Sequence, residues 1–332
     1  MSDTSRNPRS AFLNWLDESL AVLAISYWVG SLFVQTIGTV IALCCLPSKL
    51  AVLYLAWQVL EVVRPVGPTP KLVERFLKFS VQSATKYFSL KVVCEDQDAI
   101  QHGQTYVVGI LELGGLEPHS ALPTALPMMF NRFCEVLPSP LRDIKILATS
   151  VAFYMPATKH LWWGLGIRPI DKRSFGDLLK AKTSVVLVPG GLSECMIMKK
   201  GQEAMYLRKR LGFVKLALQH GAHLLPAFAF GQSDTYSWYR PGPPLVPVRV
   251  VDAVRKVLGF VPLTMWGRFG TPVPHKVPMM VVFGKPIVLP KLDDPSQDEI
   301  RTYLNLYITA IEGICERYKH QAGYGDTIFK VL

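Results

Sequence analysis

The strongest constraint on this chain is a run of 27 residues, Leu20–Leu46, without one Asp, Glu, Lys or Arg. As a helix rising 1.5 Å per residue it would extend about 40 Å, more than the roughly 30 Å of a bilayer's hydrocarbon layer. Pro47-Ser48-Lys49 interrupts the run, and Leu50–Leu60 resumes it before Glu61 and Arg64-Pro65. A bend near Gly38 would leave Lys49 inside a second apolar helix, at about 2.5–3.5 kcal/mol on insertion scales. A bend at Pro47-Ser48-Lys49 lets the ammonium reach an interface instead. The second arm, Leu50–Val63, is then about 21 Å long, which suits a shallow re-entrant arm better than a full crossing. The expectation is a membrane-embedded helical hairpin with both flanks on one side; two buried core helices of a globular protein are the alternative. The run is too long and too far from Met1 for a signal peptide, and Met1–Ser19 has no basic stretch leading into a cleavage site.

Composition sharpens this reading. Half of the 332 residues are hydrophobic and 18% are charged, against roughly 25% charged in soluble domains. So apolar a chain can bury a core, which excludes disorder. The apolar excess is not spread over many segments, which excludes a polytopic channel. The formal charge is +11, and it is unevenly placed. Residues 1–63 hold three basic and four acidic side chains, a net of −1, so the remainder carries +12. A basic body behind an apolar anchor suits an anionic surface or an anionic soluble substrate. Without zinc-finger spacing, an RNP-like stretch or a basic heptad region, nucleic acid is not the expected partner. The six cysteines show no CxxC and no framework spacing, so they read as free thiols in a cytosol-facing body.

Beyond the hairpin, a polar amphipathic stretch (Lys71–Ser89) leads into short apolar runs alternating with helical patterns. Thr105–Ile110, Lys145–Ala148, Thr183–Val188, Leu224–Phe230 and Val277–Phe283 read as strands buried on both faces. Ser120–Phe133, Ser174–Ala181, Gln202–His220 and Gln297–Gln321 read as helices. Strands alternating with helices predict an α/β layer structure. Gly242–Pro247 reads as a surface loop. Val248–Gly259 has an amphipathic spacing that suits either an interfacial helix or a helix packed on the sheet. The expected organisation is a tail over residues 1–19, a hairpin over 20–63 and one αβ domain over 64–332.

Three constellations could carry chemistry. Gly114-Gly115-Leu116-Glu117-Pro118-His119-Ser120 follows a strand, at the edge where α/β proteins place their sites. His119 is its candidate general base, because imidazole titrates near neutrality. Val188-Pro189-Gly190-Gly191-Leu192-Ser193-Glu194 ends a second strand, and puts an acid and a closely approachable backbone at an edge of the same sheet. Arg208-Lys209-Arg210 with Lys215 forms a basic cluster. Structural roles compete for each: a core histidine, a tight turn with a solvated Glu, a solvated charged face. Other chemistries fail on spacing. Cys195 stands where a GxSxG elbow needs its last glycine. Gly164-Leu165-Gly166 lacks the third glycine of a dinucleotide loop, and no Walker Lys-Ser/Thr follows a glycine run. There is no HExxH, and His220 and His223 have no third ligand, so no metal is expected.

From hairpin to C-terminus the chain resembles the type 2 diacylglycerol acyltransferase family, which includes monoacylglycerol and wax-alcohol acyltransferases. Arg210–Ala222, followed by Leu225-Pro226 and Phe230-Gly231-Gln232, carries the resemblance most specifically. Pro189-Gly190-Gly191 with Glu194, and Gly284-Lys285-Pro286-Ile287 before Pro290-Lys291-Leu292, support it. Glu117-Pro118-His119-Ser120 resembles the plant and algal EPHS form rather than the HPHG of animal and fungal members. Pro123 stands where broader glycerolipid acyltransferases carry an Asp, so an Asp–His dyad is not available at that spacing.

The resemblance implies a glycerolipid-acyltransferase-like αβ domain that transfers a fatty acyl group from acyl-CoA to diacylglycerol, without a further cofactor. It implies His119 as base, Glu194 as its partner, and Glu117 beside them. Gly114, Gly115, Pro118, Ser120, Pro189, Gly190 and Gly191 would line the substrates. Lys172, Arg173, Arg208, Arg210 and Lys215 would cradle the anionic CoA. It also implies the endoplasmic reticulum membrane, a cytosol-facing body and contact with membrane lipid, and leaves a move to lipid droplets and homo-oligomers open. Monoacylglycerol or a fatty alcohol is the alternative acceptor. A catalytically silent lipid-binding or scaffold protein is the alternative from another class, suggested by the absent first histidine.

Overall fold

The computed structural model describes residues 8–113, 125–154, 158–190, 202–205, 207–239, 242, 246–247, 249–251, 253, 264–326 and 328–331. Helix α1 runs over Pro8–Cys45 and α2 over Ser48–Val63. The break falls at Leu46-Pro47, at the start of the expected bend, because proline supplies no N–H to continue the ladder, and Ser48 and Lys49 already belong to α2. Helix α2 stops at Arg64, whose extended ψ of 127° is what a following proline imposes. The two arms are stitched by a closed chain of hydrogen bonds. Gln35 Nε2 donates to Gln58 Oε1 at 2.7 Å, Gln58 Nε2 to Thr39 Oγ1 at 3.0 Å, and Thr39 Oγ1 back to the Gln35 carbonyl at 2.9 Å. Among the described residues no helix is long and apolar enough to cross a membrane. The side chains of 8–18, 28, 29, 32, 33 and 36 of α1 lie outside that description.

The base of the hairpin is fastened to the body. Ala24 and Ile25 are buried against α3 (Lys71–Tyr87), where the Ser80 hydroxyl donates to the Ala24 carbonyl at 3.1 Å. Tyr27 meets Phe76 edge-on at 5.6 Å. At the other arm, Lys159 on α5 (Thr158–Gly164) is 3% exposed and donates to the carbonyls of Val62 at 2.8 Å and Arg64 at 2.6 Å. This satisfies two acceptors at the α2 C-terminus, where a cation also complements the helix dipole. His160 faces Glu61 across 3.2 Å, without hydrogen-bond geometry.

The body is built on a seven-stranded sheet. Its strands are β1 (Lys91–Cys94), β2 (Tyr106–Leu113), β3 (Lys145–Ala148), β4 (Ile167–Pro169), β5 (Val185–Leu187), β7 (His223–Phe230) and β10 (Met280–Phe283), in the order β1-β10-β7-β2-β5-β3-β4. From β7 to β4 every pairing is parallel, while β10 runs antiparallel to β7 and β1 parallel to β10. Alternation along the strands divides the core. Tyr106, Val108 and Ile110 of β2 with Leu225, Ala227 and Ala229 of β7 face α3, α4 (Ala125–Met129) and α5. Val107, Leu111, Leu224, Phe228 and Phe230 face α6 (Lys172–Lys180), α7 (Gly212–His220) and α8 (Gln297–Tyr318). Helices thus cover both faces, which is why the strands read as continuous apolar runs.

The expected α/β architecture is therefore present, with two corrections to the elements. Gln202–His220 is not one helix: β6 (Gln202–Met205) pairs with β11 (Ile328–Val331), and α7 begins only at Gly212. The strand's partner lies more than a hundred residues away, where no local periodicity reports it. Of the helix expected over Ser120–Phe133, the described part is Ala125–Met129. Asn131 ends it by donating to the Pro127 carbonyl at 2.6 Å while its Oδ1 takes the Phe133 N–H at 2.8 Å. Strands β1 and β4 were not evident from the pattern; both are short edge strands. A separate ribbon pairs β8 (Ser237–Tyr239) with β9 (Thr264–Trp266). In the stretch read as amphipathic, Val251 is buried and Val250 exposed; 248, 252 and 254–259 lie outside the described residues.

Candidate active site

Strands β2 and β7 end together at one edge, and β5, beside β2, ends opposite Gly109, short of them. Leu113, the last residue of β2, pairs with Phe230, the last of β7, and Val107–Gly109 pair with Val185–Leu187 of β5. The segment carrying Gly114, Gly115, Glu117, Pro118, His119 and Ser120 leaves from β2, and that carrying Gly191 and Glu194 leaves just beyond β5. Both segments lie outside the described residues. Their points of departure belong to neighbouring strands, about 5 Å apart in the hydrogen-bonding direction. The chain leaves β2 toward β3 on one side, and leaves β5 toward β7 on the other. This reversal makes the β2/β5 edge a topological switch point, the crevice where open α/β sheets bind ligands.

The basic cluster joins the same edge through a backbone contact. Pro189 and Gly190 are buried in the turn after β5, and Arg210 donates from Nε to the Gly190 carbonyl at 3.1 Å. Leu207 is buried and the Arg210 N–H bonds the Leu207 carbonyl at 2.8 Å, a tight loop that turns the Arg210 side chain toward the glycine turn. Arg208 is exposed and Lys215 half-buried on α7. Lys172 and Arg173 also open at the carboxyl edge, on the exposed first turn of α6, but β4 lies three strands from β2, about 14 Å away. Asp171 caps that helix, accepting from the Arg173 and Ser174 N–H groups at 3.1 and 3.0 Å. Hydrogen bonds from the Ser174 hydroxyl and N–H hold its carboxyl below the usual range. Two subsets of the expected cationic cradle thus stand at different distances from the β2/β5 crevice.

One part of the edge was not singled out as a site in the sequence. Gly231, at φ 88° directly after β7, begins a turn in which Gln232 and Thr235 are buried. The next residues bond the tail of the chain, where the Tyr324 hydroxyl donates to Asp234 and its ring stacks on Phe230 at 6.3 Å. The Phe230-Gly231-Gln232 motif therefore borders the exit of β2, a placement that only the β2–β7 pairing supplies. The terminal strand β11 pairs in parallel with β6 as a separate two-stranded sheet. Among the described residues no His, Cys, Asp and Glu group has metal-binding spacing. Cys44, Cys45, Cys94, Cys134 and Cys315 are free thiols.

The described part of this edge thus joins the exit of β2, the buried turn at Pro189-Gly190 and the arginine that braces it, at the place where open α/β sheets bind ligands. The chain belongs to the diacylglycerol acyltransferase family, whose model matches residues 41–331. It is 31% identical over 263 residues to mouse diacylglycerol O-acyltransferase 2-like protein 6, covering 73% of each chain. To human diacylglycerol O-acyltransferase 2 it is 28% identical over 346 residues, covering 95% of this chain and 84% of the relative. Human 2-acylglycerol O-acyltransferase 3 is 30% identical over 231 residues, covering 63% and 64%.

Proposed function

We propose that this chain is an acyl-CoA-dependent diacylglycerol O-acyltransferase, with His119 as general base. One observation carries this beyond family membership: the His119 and Glu194 segments spring from adjacent parallel strands at the switch point. In the proposed step, neutral His119 takes the proton of the acceptor hydroxyl as its oxygen attacks the thioester carbonyl. The tetrahedral intermediate collapses, the C–S bond breaks, and the CoA thiolate leaves and takes the proton from His119. Glu194 orients the ring and stabilises its charged form, with Glu117 beside it. Base catalysis of this kind contributes about 10²–10⁴-fold, so positioning and oxyanion stabilisation supply the rest. Backbone N–H groups of the loops holding Gly114, Gly115, Gly190 and Gly191 are the proposed oxyanion donors, and Pro118, Ser120 and Pro189 shape those loops. Arg208, Arg210 and Lys215 receive the CoA phosphates, with Lys172 and Arg173 extending the field outward. No further cofactor enters the scheme.

The anchor completes the reading. Large apolar side chains stand exposed from Val34 through Val63, among them Val40, Leu43, Leu53, Trp57 and Leu60. So extensive an apolar surface is what a lipid-embedded element presents. Because Ala24, Ile25 and, further along, Ser31 are buried, the stretch of α1 whose large apolar side chains stand exposed, residues 34–45, is only about 18 Å long. The hairpin is thus proposed to enter one leaflet and return. That geometry suits the endoplasmic reticulum membrane, with the body facing the cytosol, and transfer to the monolayer of a lipid droplet. Monoacylglycerol as acceptor is the second reading, favoured by the 2-acylglycerol acyltransferase relative.

Labelled acyl-CoA supplied to membranes containing the chain, with diacylglycerol, monoacylglycerol and fatty alcohol in parallel, tests both. Labelled triacylglycerol is the expected main product, and His119→Ala is expected to lower its formation at least a hundredfold. A variant with near wild-type transfer would refute the base assignment, and no transfer to any acceptor would refute the enzyme.

A further inference from the structure

A cavity of about 230 Å³ opens at the opposite, amino-terminal edge of the sheet. Four segments form it: Gly67-Pro68-Thr69 of the link between hairpin and body, Asn131-Arg132 after α4, Asp143 to Lys145 at the start of β3, and the α5–β4 turn from Trp163 to Arg168. The walls are built rather than incidental. Arg168 lies over the Trp163 ring, its guanidinium carbon 3.7 Å from the centroid, and donates to the carbonyls of Trp163 at 3.0 Å and Ile167 at 2.7 Å. Gly164 lets the link approach closely; a Cβ there would stand 2.7 Å from Leu77 Cδ1 and 3.2 Å from Thr69 Oγ1.

Charge in the cavity is unbalanced. Arg132, Lys145 and Arg168 line it against one carboxylate, the exposed Asp143, while Glu74 outside holds Arg132 at 2.9 Å. Lys145 is half-buried and its ammonium makes no ion pair or hydrogen bond with the described residues. Burial and then Arg168 push its pKa down, Asp143 opposes them and Arg132 adds to them. An anion between Lys145 and Arg168 would relieve that repulsion and satisfy the spare donors of both.

We propose that this cavity is a phosphate-binding site, separate from the acyl-transfer edge, and that the phosphate is the headgroup of an anionic membrane phospholipid. The phosphate chemistry follows from the cations alone. The lipid source rests on the proposed membrane hairpin, because the link leaving α2 forms one wall and holds the cavity beside the membrane surface. A soluble phosphate would use the same donors.

Isothermal titration of the full chain in neutral detergent separates these cases, with dioctanoyl phosphatidate, inorganic phosphate and dioctanoyl phosphatidylcholine as probes. We expect one saturable site for phosphatidate, weakened at least tenfold in Lys145→Ala and restored to within about threefold in Lys145→Arg. Phosphatidylcholine should bind more weakly than phosphatidate by a comparable factor. An unchanged melting temperature of the ligand-free Lys145→Ala variant serves as the folding control. Inorganic phosphate binding as tightly as phosphatidate supports the site and overturns the lipid source. No saturable binding of either anion, or equal binding by Lys145→Ala and wild type, overturns the proposal. None of these readouts requires acyl transfer, so failure of the enzymatic reading is seen separately.

Discussion

Gly109 gives the sharpest test of how the body is packed. It sits in the centre of β2, the strand that leads to the His119 segment, and its carbonyl accepts the buried Tyr307 hydroxyl of α8 at 2.7 Å. A Cβ at position 109 would collide with that hydroxyl and stand 2.7 Å from the ring carbon that bears it. The Tyr307 ring cannot swing away freely, because Phe213 of α7 packs edge-on against it at 5.5 Å. Overpacking of this kind typically costs about 1–3 kcal/mol, so Gly109→Ala is expected near the upper end. Tyr307→Phe alone loses one buried hydrogen bond, about 1 kcal/mol. Combined, the two changes should cost about 1 kcal/mol less than their sum, since the hydroxyl that collides is gone while the ring carbon still crowds the methyl. Thermal or denaturant unfolding of the four proteins in detergent measures the cycle, at about 2–4 °C per kcal/mol. A Gly109→Ala protein as stable as wild type, or strictly additive changes, would refute the packing argument.

Three further outcomes are expected. Lys159→Met removes the donor to two carbonyls at the end of α2, and should cost about 1–3 kcal/mol while increasing proteolysis within residues 62–70; unaltered cleavage would count against the clamp. Arg210→Ala should lower kcat/KM for acyl-CoA about tenfold, equivalent to about 1.4 kcal/mol, through loss of the brace on the Gly190 carbonyl; steady-state rates against acyl-CoA concentration decide it. His223 is half-buried and accepts the Leu289 N–H at Nδ1 over 3.3 Å, and burial lowers its pKa below the ordinary imidazole value. The unfolded chain therefore binds this proton more readily, so stability is full above about pH 6.5 and falls as pH drops from there toward the lowered value. Melting temperatures across pH 5–8 should show a shallower fall in His223→Gln; an unchanged profile would remove His223 from the account.

The fold was legible wherever the determinant was local. The run from Leu20 to Leu46 and the proline after it located the break between α1 and α2, although α1 begins at Pro8, well before the run. The apolar blocks at Lys145–Ala148 and Leu224–Phe230 marked strands β3 and β7 almost to the residue. Gln202–Met205 was misread as helix because its partner, Ile328–Val331, comes from the far end of the chain. Helix α4 ended early because the Asn131 side chain takes over backbone partners, which periodicity does not report. Among the site residues, the glycine turn at Pro189-Gly190 and the basic Arg210 were both named from sequence, yet their hydrogen bond was not foreseeable. It requires the chain to pass through β6 and return beside β5.

The sequence by itself determined the class of molecule: an apolar hairpin that carries −1 together with its N-terminal tail, a basic body carrying +12, and the motifs of an acyltransferase family. These depend on composition and short-range spacing, which one strand of text contains in full. Only the tertiary structure decided which motifs share an edge. Parallel pairing of β7, β2 and β5 sets side by side the points where three segments far apart in sequence leave the sheet, and pairing of β3 with β4 places the Lys145–Arg168 cavity at the opposite edge. It also decided how much of the hairpin stands clear of the body, because burial of Ala24 and Ile25 against α3 is a long-range contact. Hydrogen bonding between distant strands and side-chain burial set those distances, and neither is a function of local sequence.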